Sequence, residues 1–124
     1  MTDIYITDTG FAPYVAAGAT ITLSLEDAPE SYYETLRTVD EVFIPFTTSA
    51  DGRGFSIARA LRHLGYEGRI IAVGALVSDQ YRHARQSGFD AVLITKAQAA
   101  KMPESHWLEQ AQRIATTYNT RIYA

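Results

Sequence analysis

Three apolar runs separated by two amphipathic segments constrain the fold more than any other feature of the sequence. The runs cover residues 41–46, 69–73 and 90–95. The first of them is too continuously apolar for a strand with one solvated face, which favours a buried, parallel strand. Strands that alternate with helices through short loops imply right-handed parallel crossovers, so the pattern predicts an α/β sheet.

Both intervening segments contain residues that are typical of the ends of helices. The apolar face of the first helix is formed by Ile57, Ala58, Leu61 and Leu64, with Arg59, Arg62 and His63 turned away. Because glycine is the usual left-handed residue after a helix, this helix should end at Gly65, with Tyr66 folding back on Leu61. Ser78 should cap the second helix, which covers residues 79–87 and ends at Gly88, with Phe89 folding back.

The amino-terminal quarter has weaker patterns. Residues 4–7 alternate as a short strand, residues 8–10 indicate a turn, and residues 11–18 have no clear period and should connect or fray. Strict alternation over residues 20–25 predicts a half-buried strand whose inward side chains are Ile21, Leu23 and Leu25.

Two further helices are indicated by their starting residues. Asp27, followed by Pro29 and Glu30, is typical of a capped helix start, and Tyr33 and Leu36, with Tyr32 as a further candidate, should then face the core. The last helix begins at Pro103, should end at Asn119, and precedes a tail or short edge strand over residues 121–124. Its single apolar stripe comprises Trp107, Leu108, Ala111, Ile114, Ala115 and Tyr118.

Together these elements predict one α/β domain over residues 1–124, with a core of ordinary size for this length. We expect a small three-layer arrangement, with an open, mostly parallel sheet of four or five strands and helices on both faces. Four or five strands cannot close an eight-stranded barrel, which favours an open, doubly wound sheet.

Composition narrows the classes of function. The net charge is -3 and the basic residues are scattered along the sequence, which argues against a nucleic-acid surface. The absence of cysteine excludes disulfides and thiolate metal ligands. No apolar run approaches the roughly 20 residues of a membrane span, and the first residues do not resemble a signal peptide. We therefore expect a cytoplasmic protein without a membrane partner.

The candidate ligand site lies where the predicted parallel strands end, because ligands of open α/β sheets bind outside the carboxyl ends of their strands. Glycines before a helix start allow close backbone approach, and the free N–H groups there attract anions. A tight turn with a helix cap is the alternative interpretation of the same residues. The candidate ligand-binding residues are Asp51, Gly52, Arg53, Gly54, Ser56, Ser78, Asp79 and Gln80, with Lys96 on the same rim.

Known catalytic and cofactor motifs fit poorly. Ile57 occupies the position where the dinucleotide fingerprint needs its third glycine, and the sequence has neither a Walker phosphate loop nor a GxSxG elbow. His63, His83 and His106 show no spacing typical of metal ligands, so we expect no metal site. Catalytic residues and a cofactor cannot be assigned from the sequence.

The segment DGRGFSIARALRHLGYEGRIIAVGALVSDQYRHARQSGFDAVL, residues 51–93, resembles an uncharacterised bacterial family, the domain of unknown function 934 family. The similarity extends weakly to about Thr20. Members lie beside assimilatory sulfite reductase genes and are sometimes called probable oxidoreductases of sulfite reduction, so the resemblance implies a role in that pathway. The matching residues are Asp51, Gly52, Arg53, Gly54, Ser56, Arg59, Arg62, Gly74, Asp79, Gln80, Gly88, Phe89 and Asp90.

The chain also departs from the family pattern, which indicates a divergent member. Ala75 and Ser78 stand where the family commonly has an acid and a base, and Ser87 stands where a cysteine often occurs. Three hypotheses follow: an accessory protein of sulfite assimilation that binds a small anion or phosphorylated ligand, an oxidoreductase, or a partner-binding module. In the third, the DGRG segment is a structural turn and the last helix forms a homodimer interface.

Overall fold

The computed structural model describes residues 3–48 and 52–118, the last five of them by their backbone alone. A six-stranded sheet has the strand order β2-β1-β6-β5-β4-β3. The sequence predicted four or five strands, so the expected count is too low. The strands are β1 (Asp3–Thr7), β2 (Gly10–Pro13), β3 (Thr20–Thr22), β4 (Glu41–Phe46), β5 (Arg69–Gly74) and β6 (Ala91–Thr95).

Four of these strands form the predicted parallel sheet. β3, β4, β5 and β6 are parallel neighbours in the order of the sequence. β1 pairs antiparallel with β6, and β2 pairs antiparallel with β1 to form a hairpin at this edge. The sequence analysis predicted a connection at β2, because the segment GFAP shows no apolar alternation. It is a strand because it pairs with β1.

The helices lie where the sequence predicts them, with one addition, but Ser78 does not cap the second one, because Val77 is the cap residue of the turn that leads into it. They are α1 (Tyr33–Leu36), α2 (Arg53–His63), α3 (Tyr81–Ser87), α4 (Lys96–Lys101) and α5 (Glu104–Tyr118), and 3-10 turns at Pro29–Tyr32 and Ser78–Gln80 precede α1 and α3. The short helix α4 was not predicted. Its signal was Thr95, whose hydroxyl accepts a hydrogen bond from the backbone N–H of Gln98 at 3.1 Å.

The helix ends agree with the sequence. Gly65 and Gly88 have φ values of 95° and 118°, which favour glycine. The backbone N–H of Tyr66 bonds the carbonyl of Leu61, and both side chains are buried. These bonds confirm that the chain folds back after α2, and the same bond from Phe89 to Ala84 confirms it after α3.

Two side-chain assignments before β4 are wrong. Tyr33 is 48% exposed, whereas Tyr32 and Leu36 contact the core. The carboxylate of Asp27 accepts a hydrogen bond from the Tyr32 hydroxyl at 2.6 Å, and Ala28 occupies the cap position instead. The cap therefore lies one residue later than predicted, and of the two candidate tyrosines Tyr32 is the one that faces the core.

The described helices cover one face of the sheet, so the predicted three-layer arrangement with helices on both faces is wrong for the described residues. The parallel strands succeed one another in one direction, and right-handed crossovers then place α1, α2 and α3 on the same side. Buried helix residues such as Leu61, Ala84 and Trp107 share one cluster with Ile44 and Val92. The expected doubly wound sheet needs a reversal of strand order, which periodicity does not reveal.

The second face of the sheet carries its own apolar cluster. Tyr5, Ile71, Ala91 and Leu93 form it, and among the described residues no helix side chain contributes. The connection from β2 to β3, residues 14–19, crosses this face and is called the strap below. Tyr14 in the strap packs against Tyr5 and Phe43, each with ring centroids 5.8 Å apart.

The last helix contributes to the main core. Trp107 and Ala111 are buried, as the predicted stripe requires, whereas Leu108 is 37% exposed. The side chains of Ile114, Ala115 and Tyr118 lie outside the described part. Asn119 and residues 121–124 also lie outside it, and the homodimer interface stays a prediction.

Candidate functional site

Most of the sequence-predicted site residues follow three adjacent parallel strands. β4, β5 and β6 end side by side, so the segments after them lie along one edge of the sheet, called the carboxyl edge below. Asp51 lies outside the described residues. The remaining candidates are Gly52, Arg53, Gly54 and Ser56 at the start of α2, Ser78, Asp79 and Gln80 in the turn before α3, and Lys96 at the start of α4.

These candidates differ in accessibility. Gly52, Arg53, Ser56, Asp79 and Lys96 are exposed, and Gln80 is half-buried. Gly54 and Ser78 are buried, and Ser78 is only 6% exposed. Several groups in the first turn of α2 are therefore open to a ligand at this edge, as is Lys96 at the start of α4.

The two glycines of the DGRG segment serve different purposes. A Cβ on Gly54 would lie 2.3 Å from the ring of Phe46, so a side chain would collide with the core. Nothing lies within 4 Å of a Cβ added to Gly52, whose φ of -84° is open to any residue. The structure thus gives a packing reason for Gly54 and none for Gly52.

The helix starts at the carboxyl edge are not equally capped. Thr95 caps α4 with its hydroxyl, whereas Gln80, the cap residue of α3, makes no such bond and instead accepts a hydrogen bond from Val77 N–H at 3.0 Å. At α2 the cap position is Gly52, which has no side chain to accept from the first-turn N–H groups. These donors and the positive end of the helix dipole favour a negatively charged group at this position.

A glycine and a glutamine join the carboxyl end of β5 to the first turn of α4. Gly74 has a φ of 119°, and a Cβ there would lie 2.4 Å from the carbonyl oxygen of Phe46. The Gln98 side chain donates a hydrogen bond to the Gly74 carbonyl at 3.1 Å. Gly74 is therefore required for close backbone approach, and the segment entering the turn before α3 is held in place.

The sequence reasoning missed the role of Arg62, which was expected to turn away from the core. Its guanidinium donates to the carbonyls of Tyr66, Gly68 and Gly88 at 2.8–3.0 Å and to the carboxylate of Asp90 at 2.7 Å. Asp90 also accepts from the Ile70 N–H at 2.9 Å. Arg62 thus ties the loops before β5 and β6 together at the edge opposite the carboxyl edge.

An open cleft of about 1020 Å³ lies between the carboxyl-terminal halves of α2 and α3. Its lining includes Arg59 and His63 from α2 and Gln86 and Ser87 from α3. Because helices of βα units run opposite to their strands, this cleft lies away from the carboxyl edge. No sequence pattern predicted this cleft, because the contributing side chains come from two separate helices.

A buried ion pair lies under the strap. Glu41 is fully buried, and its carboxylate accepts hydrogen bonds from the Arg69 guanidinium at 2.5 and 2.8 Å and from the Tyr14 hydroxyl. Arg69 also donates to the Val15 carbonyl at 2.8 Å and stands 5.2 Å from the ring centroid of Tyr5. Burial and the Glu41 carboxylate raise the pKa of Tyr14 to about 12.

A second polar cluster joins the β1–β2 turn to α3. Asp8 accepts hydrogen bonds from the Tyr81 hydroxyl at 2.5 Å and from two Arg85 nitrogens at 3.0 and 3.1 Å. Burial by itself would raise the pKa of Asp8, but the Arg85 and Tyr81 hydrogen bonds outweigh it and lower this pKa. Burial, followed by the Asp8 contact, raises the pKa of Tyr81.

The described residues contain no group of three or more histidine, aspartate or glutamate side chains arranged to hold a metal ion. Among the helices in the described part of the chain, none is both long and apolar enough to cross a membrane. A family model described as bacterial protein of unknown function (DUF934) matches residues 20–124. No curated protein and no solved structure matches the sequence.

Proposed function

The chain belongs to the bacterial DUF934 family, and from this premise we propose that it is an accessory protein of sulfur or sulfite assimilation. It binds a small anion or phosphorylated ligand at the carboxyl edge, where α2 begins. The observation that carries the proposal is the glycine at the cap position of α2, Gly52, beside the exposed Arg53.

The geometry of α2 supports an anion at this position. α2 has 11 residues, whereas α3 and α4, which start at the same edge, have seven and six. A longer run of aligned peptide units gives a fully developed dipole, and a backbone without a Cβ at Gly52 lets a ligand reach the N–H groups. Arg53 supplies a guanidinium, whose planar fork suits oxyanions such as phosphate and sulfate.

Residues that carry the family resemblance divide into two groups. The residues of the first group are explained by the fold, because each packs in the core, allows a close approach or takes part in the hydrogen bonds around Arg62. They are Gly54, Arg62, Gly74, Gly88, Phe89 and Asp90. Gly52 and Asp79 are exposed and have no such role among the described contacts, and the exposed Ser56 only accepts a hydrogen bond from Arg59 at 3.4 Å. The second group lies along the carboxyl edge, which is consistent with ligand binding there.

The pathway part of the proposal rests on the resemblance to proteins encoded beside sulfite reductase genes. Sulfite, sulfate and phosphate share the oxyanion chemistry that a helix start and a guanidinium recognise. In the cytoplasm, the protein would present such an anion to a protein of the sulfite-reductase pathway, or respond to its concentration through that partner.

Gly52→Ala and Arg53→Ala test the proposed site. Sulfite, sulfate and phosphate are titrated separately into the full chain and followed by calorimetry and by the amide resonances of α2. Loss of a charge-assisted hydrogen bond costs about 1.5–3 kcal/mol, so Arg53→Ala should weaken binding by about tenfold or more. Gly52→Ala should weaken binding without lowering the unfolding temperature, because its Cβ meets no neighbour.

Lys101→Ala is the matched control, since Lys101 is exposed on α4 away from its start. This variant should bind the anions as the unmodified chain does. The proposal fails if none of the three anions perturbs the α2 resonances, or if both site variants keep the original affinity.

A further inference from the structure

The two edge strands of the sheet differ in how accessible their backbone groups are. At the β2 edge, Phe11 and Pro13 direct their backbone groups away from β1, since they alternate with the pair that closes the hairpin at Gly10. The Phe11 N–H donates to the Glu104 carboxylate at 2.8 Å, and proline has no N–H to donate. Neither outward position of β2 therefore offers a free donor to another strand.

The β3 edge is open. The Leu23 N–H donates to the Phe43 carbonyl at 2.9 Å, and alternate residues of a strand form their bonds on the same side. Thr20 and Thr22 therefore direct their N–H and C=O groups away from β4. Both residues are exposed, and no strand in the described part of the chain pairs with this side of β3. Unpaired backbone groups at the edge of a sheet are a template for an added strand.

The chain around the β3 edge is acidic. Residues 18–40 contain five carboxylates and one arginine, so this segment carries all of the net negative charge of the chain. Asp40 lies at the amino end of β3, where its carboxylate accepts a backbone hydrogen bond at 3.0 Å, and Glu26 and Asp27 follow the strand. All three are exposed, and within the described residues none of them forms an ion pair.

The one arginine of this segment does not offset these charges. Arg37 forms an ion pair at 3.7 Å with Glu34, which is itself one of the five carboxylates. The carboxylates at the two ends of β3 are thus available to a cation from another molecule, and the open backbone groups lie between them.

We propose that the β3 edge binds an extended, basic segment of a partner protein, which adds a strand to the sheet. Backbone hydrogen bonds to Thr20 and Thr22 align the segment, and the flanking carboxylates select lysine or arginine side chains. Antiparallel pairing with β3 of a second copy would place Asp40 of one copy near Glu26 and Asp27 of the other. Like charges would then face each other, which disfavours a second copy as the occupant.

The surroundings of β3 also indicate the pattern of the bound segment. Ile21 and Leu25 are half-buried and pack against the main core on the helix side of the sheet. An added strand would cover them with every second side chain, so apolar residues should alternate with basic ones. Because only Thr20 and Thr22 face outward along this short strand, the complex should be weak and transient.

An octapeptide of alternating lysine and valine is the probe, titrated into the full chain and followed by nuclear magnetic resonance. It should shift the amide resonances of Thr20 and Thr22 and slow their hydrogen exchange, whereas an octapeptide of alternating glutamate and valine should not. Added salt should weaken the binding, because the attraction is between exposed charges.

Thr22→Pro removes one outward N–H and leaves the bonds to β4, since proline is tolerated on an edge strand where the N–H faces solvent. It should weaken the lysine–valine peptide by about threefold to tenfold, as expected for one lost hydrogen bond. Thr22→Val keeps the N–H and should bind as the unmodified chain does. Circular dichroism establishes that the proline variant is folded.

Glu26→Lys tests the charge independently of the backbone. It should weaken binding by about twofold to fivefold, the range of an exposed ion pair. Glu109→Lys is the matched control, because Glu109 is exposed on α5, and it should leave the affinity unchanged.

Three results would overturn the proposal. The first is an equal response of Thr20 and Thr22 to the glutamate–valine peptide, and the second is unchanged affinity in both Thr22→Pro and Glu26→Lys. The third is a dimer in sedimentation of the chain alone, with both amides already protected, which would assign the edge to a second copy. The probe and the residues differ from those of the carboxyl-edge site, so either proposal can fail alone.

Discussion

Replacement of Arg62 by methionine tests the strongest structural inference, that one guanidinium holds the edge opposite the carboxyl edge together. Methionine keeps the length and the apolar stem of the side chain but removes every donor. The change leaves the carbonyls of Tyr66, Gly68 and Gly88 without their donor and the Asp90 carboxylate without its cation.

The expected change in the free energy of unfolding follows from these bonds. A typical hydrogen bond contributes a net 0.5–1.5 kcal/mol, so three carbonyl contacts amount to about 3 kcal/mol. The ion pair is partly exposed, with side-chain exposures of 29% for Arg62 and 42% for Asp90. Such pairs contribute about 0.2–1 kcal/mol. We therefore expect Arg62→Met to lower the free energy of unfolding by about 3–4 kcal/mol, a large part of the stability of a domain this size.

Urea unfolding at pH 7, followed by circular dichroism, measures this loss. Arg62→Lys keeps the charge but has no planar fork, so it should recover less than half of the lost stability. Arg37→Ala, at an exposed arginine, should change stability by less than about 0.5 kcal/mol. A loss of stability below about 1 kcal/mol for Arg62→Met, or full stability in Arg62→Lys, would refute the inference that the Arg62 guanidinium holds the two loops together.

Three other changes probe separate contacts. Gly54→Ala should lower the free energy of unfolding by about 1–3 kcal/mol in thermal unfolding, because its Cβ collides with the Phe46 ring. Tyr14 has a folded-state pKa raised to about 12, so stability should fall as pH rises from about 10 towards 12, and Tyr14→Phe should reduce this slope. Asp8 has a pKa lowered below 3.8, so its contribution is present above that pH and lost below it, and Asp8→Asn should flatten the acid limb of stability against pH.

Each of these has a clear contrary result. Wild-type stability in Gly54→Ala would show that the Phe46 ring moves at little cost. An unchanged alkaline slope in Tyr14→Phe would assign that slope to other tyrosines, and unchanged acid unfolding in Asp8→Asn would mean that its hydrogen bonds form only weakly in solution.

The local parts of the fold could be read from the sequence. β4 has the predicted boundaries, and the helix ends at Gly65 and Gly88 follow from backbone geometry that glycine alone adopts at low cost. The shared edge of the candidate site also follows from local signals, because parallel strands end on the same side. Binding at that edge stays a prediction.

Long-range features could not be read in the same way. Arg62 falls on the polar side of its helix by periodicity, yet its long side chain reaches carbonyls of two loops that are distant in sequence. Glu41 opens an apolar strand and looks misplaced until Arg69, 28 residues later, is seen beside it. Such pairings depend on strand order, which the hydrophobic pattern leaves undetermined.

The strap makes the two edges of the sheet depend on one another. It joins β2 and β3, the two outermost strands, so seven peptide units from Pro13 to Thr20 pass from one edge of the sheet to the other. On the way Tyr14 packs against rings of β1 and β4, and the Val15 carbonyl accepts a hydrogen bond from Arg69 of β5. A deletion in this short connection should therefore disturb β2 and β3 together, although four other strands lie between them in the sheet.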